Sequence, residues 1–191
     1  MLRRRTLIAA GLGSATLAAH GADDAEAWLR RGGVVVAFRH ALAPGTFDPP
    51  GFRLGDCSTQ RNLNDEGRAQ AKQLGAWFAA RSLKPARVRS SPWCRCVDTA
   101  SLAFGAHEVE PALGSPRGAS ETTNDASLRR LREHLAAASA QSGRFEVWVT
   151  HMFVLSALVG ENTASGEGLV LRVGASGAAS APELLARLRP A

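Results

Sequence analysis

Residues 33–40, GVVVAFRH, constrain this chain more than any other stretch. So continuous a run of small and β-branched apolar side chains has no polar face. It fits a strand covered on both sides of a sheet rather than one with a solvated surface. The run stops abruptly at Arg39 and His40, which sets two strongly polar groups at the carboxyl end of the strand. Ligands bind at that edge in open α/β sheets. The pattern recurs twice. Residues 86–95 (ARVRSSPWCR) read as a short strand, a turn and then Arg95, and residues 145–151 (FEVWVTH) read as a strand ending in His151.

The rest of the chain supplies the frame. Residues 23–31 begin with acids and end with arginines, the polarity that complements a helix macrodipole, and Gly32-Gly33 stops that helix. Asn64 is placed to cap a helix running to about Ala80, whose core face is Ala71, Leu74, Trp77 and Phe78. Val88 centres a short strand in which Arg87 and Arg89 are expected to face solvent. Pro92 suits the first turn of the helix that carries Arg95 and Thr99, and Gly105 ends it. Residues 109–113 read as an edge strand, because Pro111 cannot join a central ladder. Residues 127–139 form a helix with Leu128, Leu131, Leu135 and Ala138 on one face and Arg129, Arg130 and Arg132 solvated. A further helix follows His151, with Met152 expected in the core. Residues 168–173 read as a last strand at an edge, and residues 183–188 as a short terminal helix. Two polar, turn-rich loops stand out, residues 41–59 and 114–125; the first leaves directly from His40 and is expected to fold over whatever His40 touches. Strands alternating with helices predict an α/β fold: a three-layer sandwich with a mostly parallel central sheet flanked by helices.

Charge and composition narrow the partners. The chain has 191 residues, 45% of them hydrophobic and 21% charged, which suits one domain with a full core. Its formal charge of +6 invites a nucleic-acid reading, but Arg3, Arg4 and Arg5 contribute half of it from the extreme N-terminus. There is no Tyr, aromatics are 6%, and no basic run is interleaved with stacking residues, so a small anionic substrate fits better than nucleic acid. The three arginines precede an apolar, Ala/Gly-rich segment over residues 7–19, too short to span a bilayer. Together they read as an export signal over residues 1–22, of the Sec or twin-arginine kind, followed by one domain over residues 23–191. The expected location is the periplasm or outside the cell, with no stable membrane insertion once the signal is removed. In an oxidising compartment Cys57 is then a candidate for a disulfide with Cys94 or Cys96.

Arg39, His40, Arg95 and His151 together suit phosphoryl transfer. Guanidiniums clamp non-bridging phosphoryl oxygens through charge-assisted pairs. A neutral imidazole can attack phosphorus and carry the group covalently, while a second histidine donates to an oxygen in the transition state. Helix N-termini after Ser91 and His151 would aim N–H groups at the same anion. The arginines supply the positive charge, so no metal or other cofactor is required.

Arg39-His40, then SSPWCR with Arg95, then VTH with His151, in that order and spacing, resembles the histidine phosphatase superfamily, with the phosphoglycerate mutase-like fold. Leu63-Asn64, Gly67, Gln70-Ala71 and Thr99-Ala100 resemble further family segments. The resemblance spans about residues 34–158 and implies that His40 is the phosphorylated nucleophile. It also implies that Arg39, Arg95 and His151 line the phosphate pocket, with Arg61 as an added substrate contact. Members of some branches take a proton for the leaving group from a glutamate on the middle excursion; Glu121 occupies the corresponding loop here, with Asp125 in reserve. Ala41 and Met152 depart from the residues common at those positions. The expected activity is that of an exported phosphatase acting on a phosphate monoester or phosphoramidate, on a small molecule or a phosphoprotein. The alternative is a catalytically silent phosphate- or phosphoprotein-binding module on the same fold.

Overall fold

The computed structural model describes residues 17–114, 123–174 and 180–190, with side chains from residue 24 onward. The apolar run becomes strand β1 (Val34–Arg39), which pairs in parallel with β4 (Phe145–Thr150), Arg39 lying opposite Thr150. Next to β4 is β2 (Arg87–Ser90), and beyond it the two-residue β3 (Glu108–Val109), both parallel to their neighbours. On the other side of β1 lies β5 (Gly168–Arg172), antiparallel to it, and then β6 (Glu183–Leu188), antiparallel to β5. The order is β3-β2-β4-β1-β5-β6, a six-stranded mixed sheet whose parallel half carries the polar strand ends.

Helices cover both faces, and the pleat of β1 sorts its side chains between them. Val34, Val36 and Phe38 enter one cluster with residues of α1 (Leu17–Arg31), α2 (Asp65–Ala80) and α3 (Cys94–Phe104). Val35 and Ala37 enter the other, with Leu131 and Leu135 of α4 (Asp125–Ser139) and Val154, Leu155 and Leu158 of α5 (Met152–Val159). All five of these β1 residues are fully buried, each Val contributing about 1.5–3 kcal/mol by leaving water. This is the expected three-layer sandwich. Asn64 caps α2 through Gly67 N–H at 2.8 Å, and Gly105 caps α3, as the sequence predicts.

Several elements differ from expectation. The terminal segment is not a helix. A six-residue helix is too short to hold itself, whereas the open edge of β5 offers a full set of backbone partners. Taking that edge as β6 sends Leu185, Ala186 and Leu188 onto one core cluster and Leu184 onto the other, and it makes β5 an interior strand instead of an edge. Helix α1 starts at Leu17 rather than Asp23, so its first turn falls inside the segment assigned to the export signal. Helix α3 begins at Cys94 with Trp93 as its cap, two residues after Pro92. The edge strand is only Glu108–Val109; Pro111 instead opens a 3-10 turn, Pro111–Leu113. Arg89 does not face solvent: it is 7% exposed and ion-paired with Glu146, brought beside it by the β2–β4 ladder. Met152 is not core but 38% exposed, at the first turn of α5.

Helices α2 and α3 touch backbone to backbone at Gly75, where an added Cβ would lie 2.3 Å from the Ala103 carbonyl oxygen. Gly75→Ala is therefore expected to force the helices apart and lower unfolding free energy by about 1–3 kcal/mol, read from urea denaturation.

Candidate active site

The parallel strands deliver Arg39-His40, Ser90-Ser91 and Thr150-His151 to one edge of the sheet. There the His40 and His151 rings meet edge to face, 5.5 Å between centroids. A cavity of about 300 Å³ opens above them, lined by Arg39, His40, Arg61 and His151 together with Gly45, Thr46, Phe47, Met152 and Phe153. The loop after His40 does fold over it.

The motif residues hold His40 in place. Its backbone N–H donates to the Thr150 carbonyl at 2.9 Å, continuing the β1–β4 ladder one residue past the strand. Ala41 N–H donates to Thr99 Oγ1 at 3.0 Å, and that hydroxyl donates to the Arg95 carbonyl. Gln70 accepts from Leu42 N–H and donates to the Ser165 carbonyl, tying the loop to the segment before β5. Gly67 lets the Leu42 backbone sit against α2, since a Cβ there would fall 2.0 Å from the Leu42 oxygen. The ring itself is fixed by its Nδ1, 2.7 Å from the Ala41 carbonyl. A carbonyl only accepts, so Nδ1 carries the proton and Nε2 keeps a lone pair.

His151 caps α5 and is equally buried. Its Nδ1 faces Arg95 Nη2 at 3.5 Å, and its Nε2 lies 2.8 Å from Ser91 Oγ. Arginine offers only donors, so in the neutral ring Nδ1 accepts and Nε2 carries the hydrogen. Phe153 stacks on the same ring, 5.1 Å between centroids. The buried Cys96 thiol lies 3.6 Å from His151 Nε2; burial pushes its pKa up to about 12, so it stays protonated and unreactive.

Arg39 donates to the Thr163 carbonyl at 2.8 Å, and Arg61 to the Ala43 carbonyl at 2.5 Å; both guanidiniums border the cavity. Arg95 is the most deeply buried of the three, 1% exposed, and lies beside His151, its charge acting on His40 more strongly than those of Arg61 and Arg39. Its Nη1 is held by both oxygens of Asp48, at 2.9 and 3.1 Å. Asp48 also accepts from the Trp93 indole and from the Arg61 backbone N–H. The Cys57–Cys94 disulfide and a hydrogen bond from Cys94 N–H to Gln60 fasten the same loop to the start of α3. Of the pairings the sequence left open, Cys57 with Cys94 is the one formed, and Cys96 is free. Glu121 lies outside the described residues. Asp125 is exposed at the start of α4 and does not reach the cavity, and among the described residues no carboxylate lines it. Asp48, Gln60 and Ser91 were missed as site residues. Asp48 is one acid in a long loop, and nothing local marks it as Arg95's partner.

Burial first, then the positive field of Arg95 and more weakly of Arg61 and Arg39, holds the His40 pKa well below the ordinary imidazole value. Burial, followed by His40 and Arg95, does the same to His151. Both rings are therefore neutral near neutrality. The set offers a free imidazole lone pair, an imidazole N–H and two guanidiniums around one small cavity, an arrangement that receives a tetrahedral oxyanion.

A parallel sheet edge bearing paired histidines and arginines is an arrangement suited to an oxyanion, and comparison with known proteins shows what the chain resembles. Residues 56–115 match the family model of the histidine phosphatase superfamily (branch 1). Among solved structures, the protein histidine phosphatase SixA complexed with tungstate superposes with a TM-score of 0.57 at 19% identity, covering 82% of this chain and 97% of that one. A mutant phosphoserine phosphatase from Entamoeba histolytica, in complex with phosphoserine, gives 0.58 at 12% identity over 81% and 95% of the two chains. A mycobacterial glucosyl-3-phosphoglycerate phosphatase gives 0.56 at 18% identity over 80% and 97%. No curated protein sequence matches. The chain thus carries the histidine phosphatase superfamily sequence pattern across residues 56–115 and shares the fold of these solved structures.

Two outcomes follow from this geometry. Asp48→Ala strips a fully buried guanidinium of its counter-charge and is expected to cost about 3–5 kcal/mol in urea denaturation. Because both histidine pKa values are depressed in the folded state, the unfolded chain binds more protons below the ordinary value near 6.5. Their stabilising contribution is full above that pH and is lost as pH falls. His40→Ala should flatten the decline of unfolding free energy between pH 6.5 and 5 by up to about 1.4 kcal/mol per pH unit, measured by denaturation at stepped pH.

Proposed function

We propose that this protein is an exported phosphatase that hydrolyses a phosphate monoester or phosphoramidate through a phosphohistidine on His40. The observation that carries the reading is the Nδ1–Ala41 hydrogen bond, which leaves a neutral His40 with its nucleophilic nitrogen unprotonated beside two guanidiniums. The Nε2 lone pair attacks phosphorus. The bond to the ester oxygen or amide nitrogen breaks, and its electron pair departs with the leaving group. Water then attacks the phosphohistidine, the N–P bond breaks, and the imidazole lone pair returns as phosphate forms. Arg39 and Arg61 hold the non-bridging oxygens, and the His151 N–H turns from Ser91 toward the developing charge. Arg95, neutralised by Asp48, orients His151. The positive charge for the transfer comes from side chains of this chain.

Export draws its support from the arginine-led apolar N-terminus and from the Cys57–Cys94 disulfide, a bond that persists in oxidising compartments. On that reading residues 1–22 are the signal and the domain begins near residue 23. Among the described residues no helix is long and apolar enough to cross a membrane.

The test is turnover of p-nitrophenyl phosphate by purified protein, with acid quench to trap protein-bound radiolabelled phosphate. His40→Ala is expected to abolish the label and lower kcat/KM by about a thousandfold or more. Tight phosphate binding without turnover or label would instead establish the silent binding module.

A further inference from the structure

The cavity is divided by chemistry along its depth. His40 and His151 are each 2% exposed at its floor, and the cationic groups that border it, Arg39 and Arg61, are anchored by backbone carbonyls beside them. The outer wall is largely apolar; among the described residues its polar points are the Thr46 hydroxyl and the Met152 sulfur, which accepts from Arg39 Nη1 at 3.7 Å. Phe47 is 65% exposed and Met152 38% exposed, and they are two of the four large hydrophobic side chains on the described surface that are exposed to this degree. Phe153, stacked on His151, continues that wall inward. Among the described lining residues every charged group belongs to the two arginines, and the side chains of Phe47, Met152 and Phe153 carry none. A thioether and two phenyl rings lining one cavity are suited to the faces and edge of a flat ring. A ring placed there would also cover the apolar surface that Phe47 leaves in water.

We propose that the substrate carries its phosphoryl group on an uncharged planar ring, and that Phe47 and Met152 are the residues that select it. This rests on the phosphatase reading of the site. The chemistry of departure agrees with the shape of the wall. A phenol-type oxygen leaves with a pKa near 10, far below that of an alkoxide, and so depends less on a proton donor. No carboxylic acid among the described residues borders the cavity to supply one.

Phosphonates test ring recognition apart from leaving-group reactivity, because their P–C bond is not cleaved. Phenylphosphonate, methylphosphonate, 2-aminoethylphosphonate and inorganic phosphate would be compared as competitive inhibitors of p-nitrophenyl phosphate turnover. Phenylphosphonate is expected to bind about tenfold tighter than the methyl and aminoethyl compounds. In Phe47→Ala, checked for an unchanged melting temperature, that advantage should shrink to about threefold or less while inhibition by inorganic phosphate is unaltered. Met152→Ala also removes the sulfur that Arg39 touches, so it is read as the ratio of phenyl- to methylphosphonate inhibition, which should fall. Equal inhibition by phenyl- and methylphosphonate, or a ring preference that survives both substitutions, overturns the proposal and leaves the phosphatase reading standing. Absence of any turnover, with no binding of inorganic phosphate, overturns both. Comparing kcat/KM for phenyl phosphate and for a phosphotyrosine peptide then separates a free ring from one borne on a protein: a faster peptide points to the latter, a faster free ester to the former, and either supports ring selection.

Discussion

The buried carboxylate of Asp48 is the group on which the site depends. Three guanidiniums, those of Arg39, Arg61 and Arg95, converge on two desolvated imidazoles, an arrangement that would repel itself if left uncompensated. Asp48 neutralises the most deeply buried of the three, Arg95, through both carboxylate oxygens. The guanidiniums of Arg39 and Arg61 border the cavity itself. The same carboxylate accepts from the Arg61 backbone and the Trp93 indole, so a single charge sets both the electrostatic balance and the position of the loop that closes the cavity.

That dependence explains why the loop after His40 is fastened so heavily. A segment of nearly twenty residues without long regular structure would ordinarily hold a buried ion pair poorly, since the entropy of ordering it opposes the gain. Here the Cys57–Cys94 bond closes it covalently, and Gln60 receives the first helical N–H of α3 at 3.0 Å. Both attachments fall within a residue of Arg95. The chain thus spends its cross-link where a displaced guanidinium would do the most electrostatic harm.

On the opposite side, the segment between α5 and β5 holds Arg39. The Thr163 carbonyl accepts from its guanidinium, and Gly166 N–H reaches the carbonyls of Arg39 and His40. Glu167, almost fully buried, receives Ala164 N–H and ion-pairs with Arg187 of β6 and with Arg189. The C-terminal strand therefore does more than cover the edge of β5, because its arginines fix the turn against which Arg39 rests. The unexpected strand and the expected site are mechanically connected.

The sequence by itself determined the layout. The apolar continuity of residues 34–38 dictates a strand buried on both faces, and the polar pairs after the strands mark the functional edge, since both are local properties of the chain. Helix boundaries at Asn64 and Gly105 are written in capping chemistry and were legible for the same reason. Only the tertiary structure decided what required a distant partner. Asp48 became Arg95's counter-ion because a loop folded back across 47 positions of sequence. Arg89 became buried because a neighbouring strand offered Glu146, residues 183–188 became a strand because β5 had an open edge, and Met152 became surface because the first turn of α5 faces the cavity. In each case local propensity was weak, and the charge, hydrogen-bonding edge or opening that settled it lay elsewhere in the chain.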